Sequence, residues 1–177
     1  MKKIYLITGV MASGKSTIAQ LLASQIDRCV HLRGDAFRRM IVSGREEMSA
    51  EPSGEAVRQL HMRYELTAAA AKLYFEHDFS VVIQDNYYGK EYPRMLELLS
   101  DQPVCPVVLC PSLETVKERE RGRNKTGYTG FSADALYAAF MAETPRVGLW
   151  LDTTGQTPQQ SAEAILRFGD PREEGLI

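Results

Sequence analysis

Gly9-Val10-Met11-Ala12-Ser13-Gly14-Lys15-Ser16 is the stretch that decides the fold. The eight residues fit the phosphate-binding pattern G-x-x-x-x-G-K-[ST] at every fixed position. Residues 4–8 before it form an apolar, strand-like run, and residues 14–26 after it place Ile18, Leu21, Leu22 and Ile26 on one helical stripe. A strand turning sharply into a helix aims successive backbone N–H groups and the positive helix end at an anion. The spacing therefore predicts that Ala12, Ser13, Gly14, Lys15, Ser16 and Thr17 hold the phosphates of ATP. Lys15 would reach the β- and γ-phosphates, and the Ser16 hydroxyl would ligate Mg²⁺.

Working outward, apolar runs at residues 4–8, 29–33, 79–84, 104–110 and 147–152 alternate with helical periods, the pattern of βαβ units on a parallel sheet. Val81-Val82-Ile83 and Val107-Val108-Leu109 are apolar at every position, so helices should cover both faces. Residues 54–77 carry the longest helical pattern, with Val57, Leu60, Tyr64, Ala68, Ala71 and Phe75 inward. Ser112 and Ser132 can cap helices, and Thr157-Pro158-Gln159-Gln160 joins a capping box to a proline at the first helical position. The length of 177 residues suits one α/β P-loop domain over residues 1–177. Its two weakly patterned excursions are a substrate-side segment at about residues 33–53 and a lid at about residues 119–131.

Hydrophobic residues at 44% and charged residues at 25% exclude a disordered or fibrous chain. The net charge of −2 leaves no global positive field to hold nucleic acid, so a polyanion must meet a local patch. Cys29, Cys105 and Cys110 are odd in number and lack metal-ligand spacing, which points to a reducing compartment, with the cytoplasm expected. Met1-Lys2-Lys3 and the apolar run after it mimic a secretory signal, but Thr8 and Gly9 interrupt it, and Lys15 stands where a cleavage site belongs. No later run approaches the ~18 apolar residues of a membrane span, so neither export nor insertion is expected.

Ligands of open parallel sheets bind beyond the carboxyl ends of the strands, where Asp35 and Asp85 fall. Asp35 is read as the base that accepts the proton of an attacking hydroxyl, the alternative being a helix N-cap. Arg38, three residues on, is a candidate substrate contact or a surface partner of Asp35. Asp85 ends Val81-Val82-Ile83-Gln84-Asp85, a loose Walker B, and could meet Mg²⁺ through water, bind substrate or simply form a turn. Arg119 and Arg123 can bring one guanidinium to the adenine side and one to the phosphates. Asn124-Lys125-Thr126-Gly127 approaches the guanine-binding N-K-x-D, but Gly127 removes the carboxylate that would contact the base. His31, His61 and His77 show no metal or catalytic spacing, and Tyr87, Tyr88 and Tyr92 read first as space-filling.

Together with Leu151-Asp152-Thr153-Thr154, these features resemble the chloramphenicol phosphotransferase-like group of small P-loop kinases over nearly the whole length. The likeness is most specific in the C-terminal third. It implies a nucleoside-monophosphate-kinase-like five-stranded sheet of order 2-3-1-4-5, ATP with Mg²⁺, and phosphorylation of a hydroxyl, with Asp35 matching the catalytic carboxylate. Asp35-x-x-Arg38 and Asp85 also resemble polynucleotide 5′-hydroxyl kinases, in which the matching aspartate is the base and the matching arginine holds a substrate phosphate. Arg38, Arg39 and Arg45 make this segment more basic than that of the antibiotic kinase. The expectation is a phosphotransferase acting on the hydroxyl of a small molecule such as an antibiotic or metabolite, with Lys15, Asp35 and Arg123 catalytic. A nucleotide or polynucleotide 5′-hydroxyl kinase and a regulatory ATP-binding protein are the alternatives, with nucleic acid the less favoured partner.

Overall fold

The computed structural model describes residues 2–122 and 132–170. In chain order its elements are β1 (Ile4–Gly9), α1 (Lys15–Ser24), β2 (Cys29–Arg33), α2 (Asp35–Arg39), α3 (Gly54–Glu76), β3 (Ser80–Gln84) and α4 (Glu91–Leu98). Then follow β4 (Val104–Leu109), α5 (Leu113–Arg121), α6 (Ala133–Glu143), β5 (Leu149–Leu151) and α7 (Pro158–Phe168). The five strands pair in parallel in the order β2-β3-β1-β4-β5, as the resemblance implies.

Successive strand residues point to opposite faces, and each face has its own core. Ile4, Leu6, Val81 and Ile83 meet Tyr64, Ala68 and Ala71 of α3, Met95 of α4 and Phe140 of α6. Tyr5, Ile7, Val82, Val107 and Leu109 meet Ile18, Ala19 and Leu22 of α1 and Ala162 and Ile165 of α7. At about 1.5–3 kcal/mol for each large side chain removed from water, these two layers are what hold the helices on the sheet. All six residues of β1 are buried, whereas β2 at the edge is half-exposed.

The capping serines and threonine occupy their expected places. Ser112 Oγ accepts from Thr115 N at 3.2 Å, and Thr157 and Gln160 exchange both bonds of the capping box. Residue 79 lies outside β3 and the last strand shortens to three residues. β5 begins after Gly148, whose φ of +75° and close approach to the Pro106 carbonyl admit no side chain. Pro106 is tolerated in β4 because the β5 ladder starts only at Val107, so no strand needs its missing N–H on that side. One helix, α4, is absent from the sequence reading. Its Pro93 sits in the first turn, where a proline leaves the helical ladder intact. Among the described residues no helix is long and apolar enough to cross a membrane.

Candidate functional site

Because β1 lies between β3 and β4, the connections after neighbouring strands diverge and leave a cleft of about 620 Å³ at the carboxyl edge of the sheet. The phosphate-binding loop forms one wall. Ser13 N donates to Val10 O at 3.1 Å, and Gly14, with φ +98°, turns the chain into α1. α1 has neither a side-chain cap nor an acid in its first turn, so its N–H groups and positive end are left to a ligand. Lys15 is buried across the loop, donating from Nζ to Gly9 O and Val10 O, each at 2.8 Å. Ser16 and Thr17 are exposed in the same turn, and Ser16 Oγ reaches Gln84 Oε1 at 3.5 Å. Convergent amide donors, a lysine held on the loop and an accessible hydroxyl beside it are a donor set that fits a triphosphate and its Mg²⁺.

The facing wall is the β2–α2 turn. Gly34, not Asp35, takes the N-cap position of α2, and no side chain caps it. Asp35 instead lines the cleft, paired with Arg39 one turn later and with Arg33 Nε at 4.0 Å. Arg33 and Arg39 also line the cleft. Arg38 does not: it pairs with Glu47 of the excursion. Neighbouring helical positions diverge by ~100°, so of this adjacent pair only Arg39 turns to the cleft while Arg38 faces the 40–53 segment.

Asp85 forms the cleft floor, and both of its oxygens are engaged. Arg63 of α3 sets Nε 3.0 Å from Oδ2 as an ion pair without hydrogen-bond alignment. Its Nη2 donates to Oδ1 at 3.3 Å, and Asn86 N donates to Oδ1 at 2.8 Å. Burial pushes the Asp85 carboxyl above its usual range, while Arg63 and the Asn86 N–H pull it back. A Cβ at Gly34 would stand 2.2 Å from Asp85 Oδ2, so the turn bearing Asp35 rests directly on this carboxylate. Arg63 escaped the sequence reading: its only signal is a cation beside the inward Tyr64, and its partner lies 22 residues away.

On the loop's other flank, Arg119 donates from Nη1 to Ser13 O at 3.0 Å and from Nη2 to Thr153 O at 3.1 Å. It thereby ties α5 to both the phosphate loop and the end of β5. Asp152 accepts from Thr154 N at 2.8 Å, and the Thr154 side chain first and then this N–H hold its carboxyl below the usual range. A second recess of about 490 Å³ lies beyond Arg119, bordered by Thr115, Glu118 and Gln156. Arg123, the Asn124-to-Gly127 stretch and most of the expected lid lie outside the described residues. None of the three histidines lines the cleft; His31 meets Gln20 and His61 pairs with Glu91. Tyr87 and Tyr92 are fully buried core residues, and Tyr87 N and O both bond Thr8 Oγ1.

A family model described as an AAA domain matches residues 4–144. No curated protein matches the chain significantly. Solved structures do. A sugar kinase from Janibacter sp. HTCC2649 is 21% identical with a TM-score of 0.67, covering 95% of this chain and 94% of that one. A tunicamycin resistance protein from Deinococcus radiodurans is 19% identical with a TM-score of 0.68, covering 93% and 94%. An APS kinase from Mycobacterium tuberculosis, in complex with AMPPNP and APS, is 15% identical with a TM-score of 0.70, covering 94% and 96%. These structures share the fold of this chain.

Proposed function

Because the chain belongs to the AAA domain family, we propose that it is an ATP- and Mg²⁺-dependent phosphotransferase acting on a hydroxyl of a small-molecule acceptor. One observation carries the reading: Asp35, just beyond the carboxyl end of β2, lines the same cleft as Lys15 and Ser16. The loop amides from Ala12 to Thr17 and Lys15 bind the phosphates, Ser16 Oγ holds Mg²⁺, and Arg119 flanks the nucleotide. ATP supplies the electrophilic γ-phosphoryl group. Asp35 takes the proton of the acceptor hydroxyl as its oxygen bonds to phosphorus and the bond to the ADP oxygen breaks. Arg123 belongs to this proposal as a second cation over the phosphates. Asp85 enters as a floor residue of the acceptor side, braced by Arg63. A cytoplasmic setting fits the same reading: Cys29, Cys105 and Cys110 are free, and burial raises the first two thiols to about 11.

The test is ATP consumption with and without a panel of hydroxylated antibiotics, sugars and nucleosides. Consumption should depend on one acceptor. Lys15→Ala should abolish transfer in a folded protein, and Asp35→Asn should slow turnover about 10²–10⁴-fold while leaving the ATP Kd unchanged. Full turnover by Asp35→Asn would remove Asp35 from the mechanism, and acceptor-independent hydrolysis alone would leave a regulatory ATPase.

The pair Arg33 and Arg39 beside Asp35 favours a second reading, in which the acceptor is a nucleotide or polynucleotide 5′-hydroxyl carrying phosphate nearby. That reading expects Arg39→Ala to raise the acceptor KM and binding to weaken steeply with salt. A flat salt response returns the assignment to an uncharged small molecule.

A further inference from the structure

The outward face of α3 carries an apolar seam left open to solvent. Met62, Leu66 and Leu73 are 41%, 43% and 58% exposed, and Ala69 lies exposed between the last two. Their spacing of four, three and four residues keeps one stripe of a helix against a partner helix. The opposite stripe of α3, with Tyr64, Ala68 and Ala71, is already committed to the sheet.

We propose that this seam joins two copies of the chain, α3 against α3, antiparallel about a two-fold axis passing between Leu66 and Ala69. In a two-fold interface each contact occurs twice, so the surface must complement itself, and this one does. Met62 meets Leu73 of the second copy, and Leu66 packs on the small Ala69, where the helices can approach closely. The ends of the seam carry opposite charge, Arg58 on one side and Glu76 on the other, both exposed. An antiparallel pair sets Arg58 beside Glu76 of the second copy at both ends, and along the same edge brings Glu65 towards its Lys72. A parallel pair would set Arg58 level with Arg58. Within the chain, Arg58 pairs with Glu55, Glu65 with Arg94 and Lys72 with Asp101, exposed pairs of small worth that can re-form across the seam. The 23 residues of α3 run for about 34 Å, enough for a continuous contact. A single helix–helix contact is small for a specific interface, so the dimer should form reversibly with concentration.

Sedimentation velocity of the whole chain from about 1 µM to about 1 mM should show a monomer–dimer equilibrium. Leu73→Glu, which removes a seam contact in both copies, should weaken it at least ~100-fold, with circular dichroism confirming an unchanged fold. Arg58→Glu should weaken it, and Arg58→Glu combined with Glu76→Arg should restore it. Val42→Glu, at a position 97% exposed elsewhere, should leave it unchanged. A monomer at every concentration overturns the proposal, as does a dimer that Leu73→Glu leaves intact. Neither result bears on phosphotransfer.

Discussion

Arg63 and Asp85 each need the other. The two side chains are 11% and 5% exposed, so truncating one strands the other as an unpaired charge in a poorly solvated place. Arg63→Ala should cost about 3–5 kcal/mol in urea unfolding, and Arg63→Met with Asp85→Asn should cost less than Arg63→Ala alone. His31 on β2 makes a pH-dependent contribution. Burial first, and then Arg33, lower its pKa below the ordinary 6.5, so the folded state binds the proton less readily than the unfolded chain. Stability from this group is present above 6.5 and lost as pH falls through the lowered value. His31→Gln should flatten the decline in stability as pH falls below 6.5, measured by denaturant titration at each pH. At this scale the sequence was only partly legible. The phosphate-loop residues could be named because their spacing is fixed by backbone geometry. Arg39 could not be told from Arg38, since the phase of a five-residue helix is set by what it packs on, and Arg63 could not be paired without the tertiary contact.

Elements were more legible than side chains. Strands buried on both faces show as unbroken apolar runs, and β1 to β4 lie within about a residue of those runs. The exception is α4, whose Pro93 conceals a helix stabilised by packing of Tyr92 and Met95 more than by propensity. The start of β5 illustrates a constraint invisible in the sequence. An alanine Cβ at 148 would lie 2.3 Å from Pro106 O, and the backbone there is left-handed. Gly148→Ala should therefore lose more than about 2 kcal/mol, combining a left-handed residue with a backbone clash. Gly155, also left-handed at φ +69° but with nothing within 4 Å, is the control, and its alanine variant should lose only about 1–2 kcal/mol.

At the scale of the whole molecule, the sheet separates two layers with different work. α1 and α7 pack with one core beneath the phosphate loop, while α3, α4 and α6 pack with the other. The proposed donor and acceptor sides meet only at the carboxyl edge. If the loop binds a triphosphate, Mg²⁺ with a non-hydrolysable ATP analogue at 100 times its Kd should stabilise the fold by about 2.7 kcal/mol, read as a rise in Tm. Lys15→Ala should abolish that rise.

Arg119 lends the cleft a further property. Among the described residues its hydrogen bonds run to Ser13 O, Thr153 O and Thr153 Oγ1, all neutral oxygens, so they fix the guanidinium without cancelling its charge. A cation anchored in that manner attracts small multivalent anions indiscriminately. Sulfate, pyrophosphate and phosphate buffer should all act as competitors of the nucleotide, and apparent affinities will depend on the choice of buffer salt as much as on the ligand.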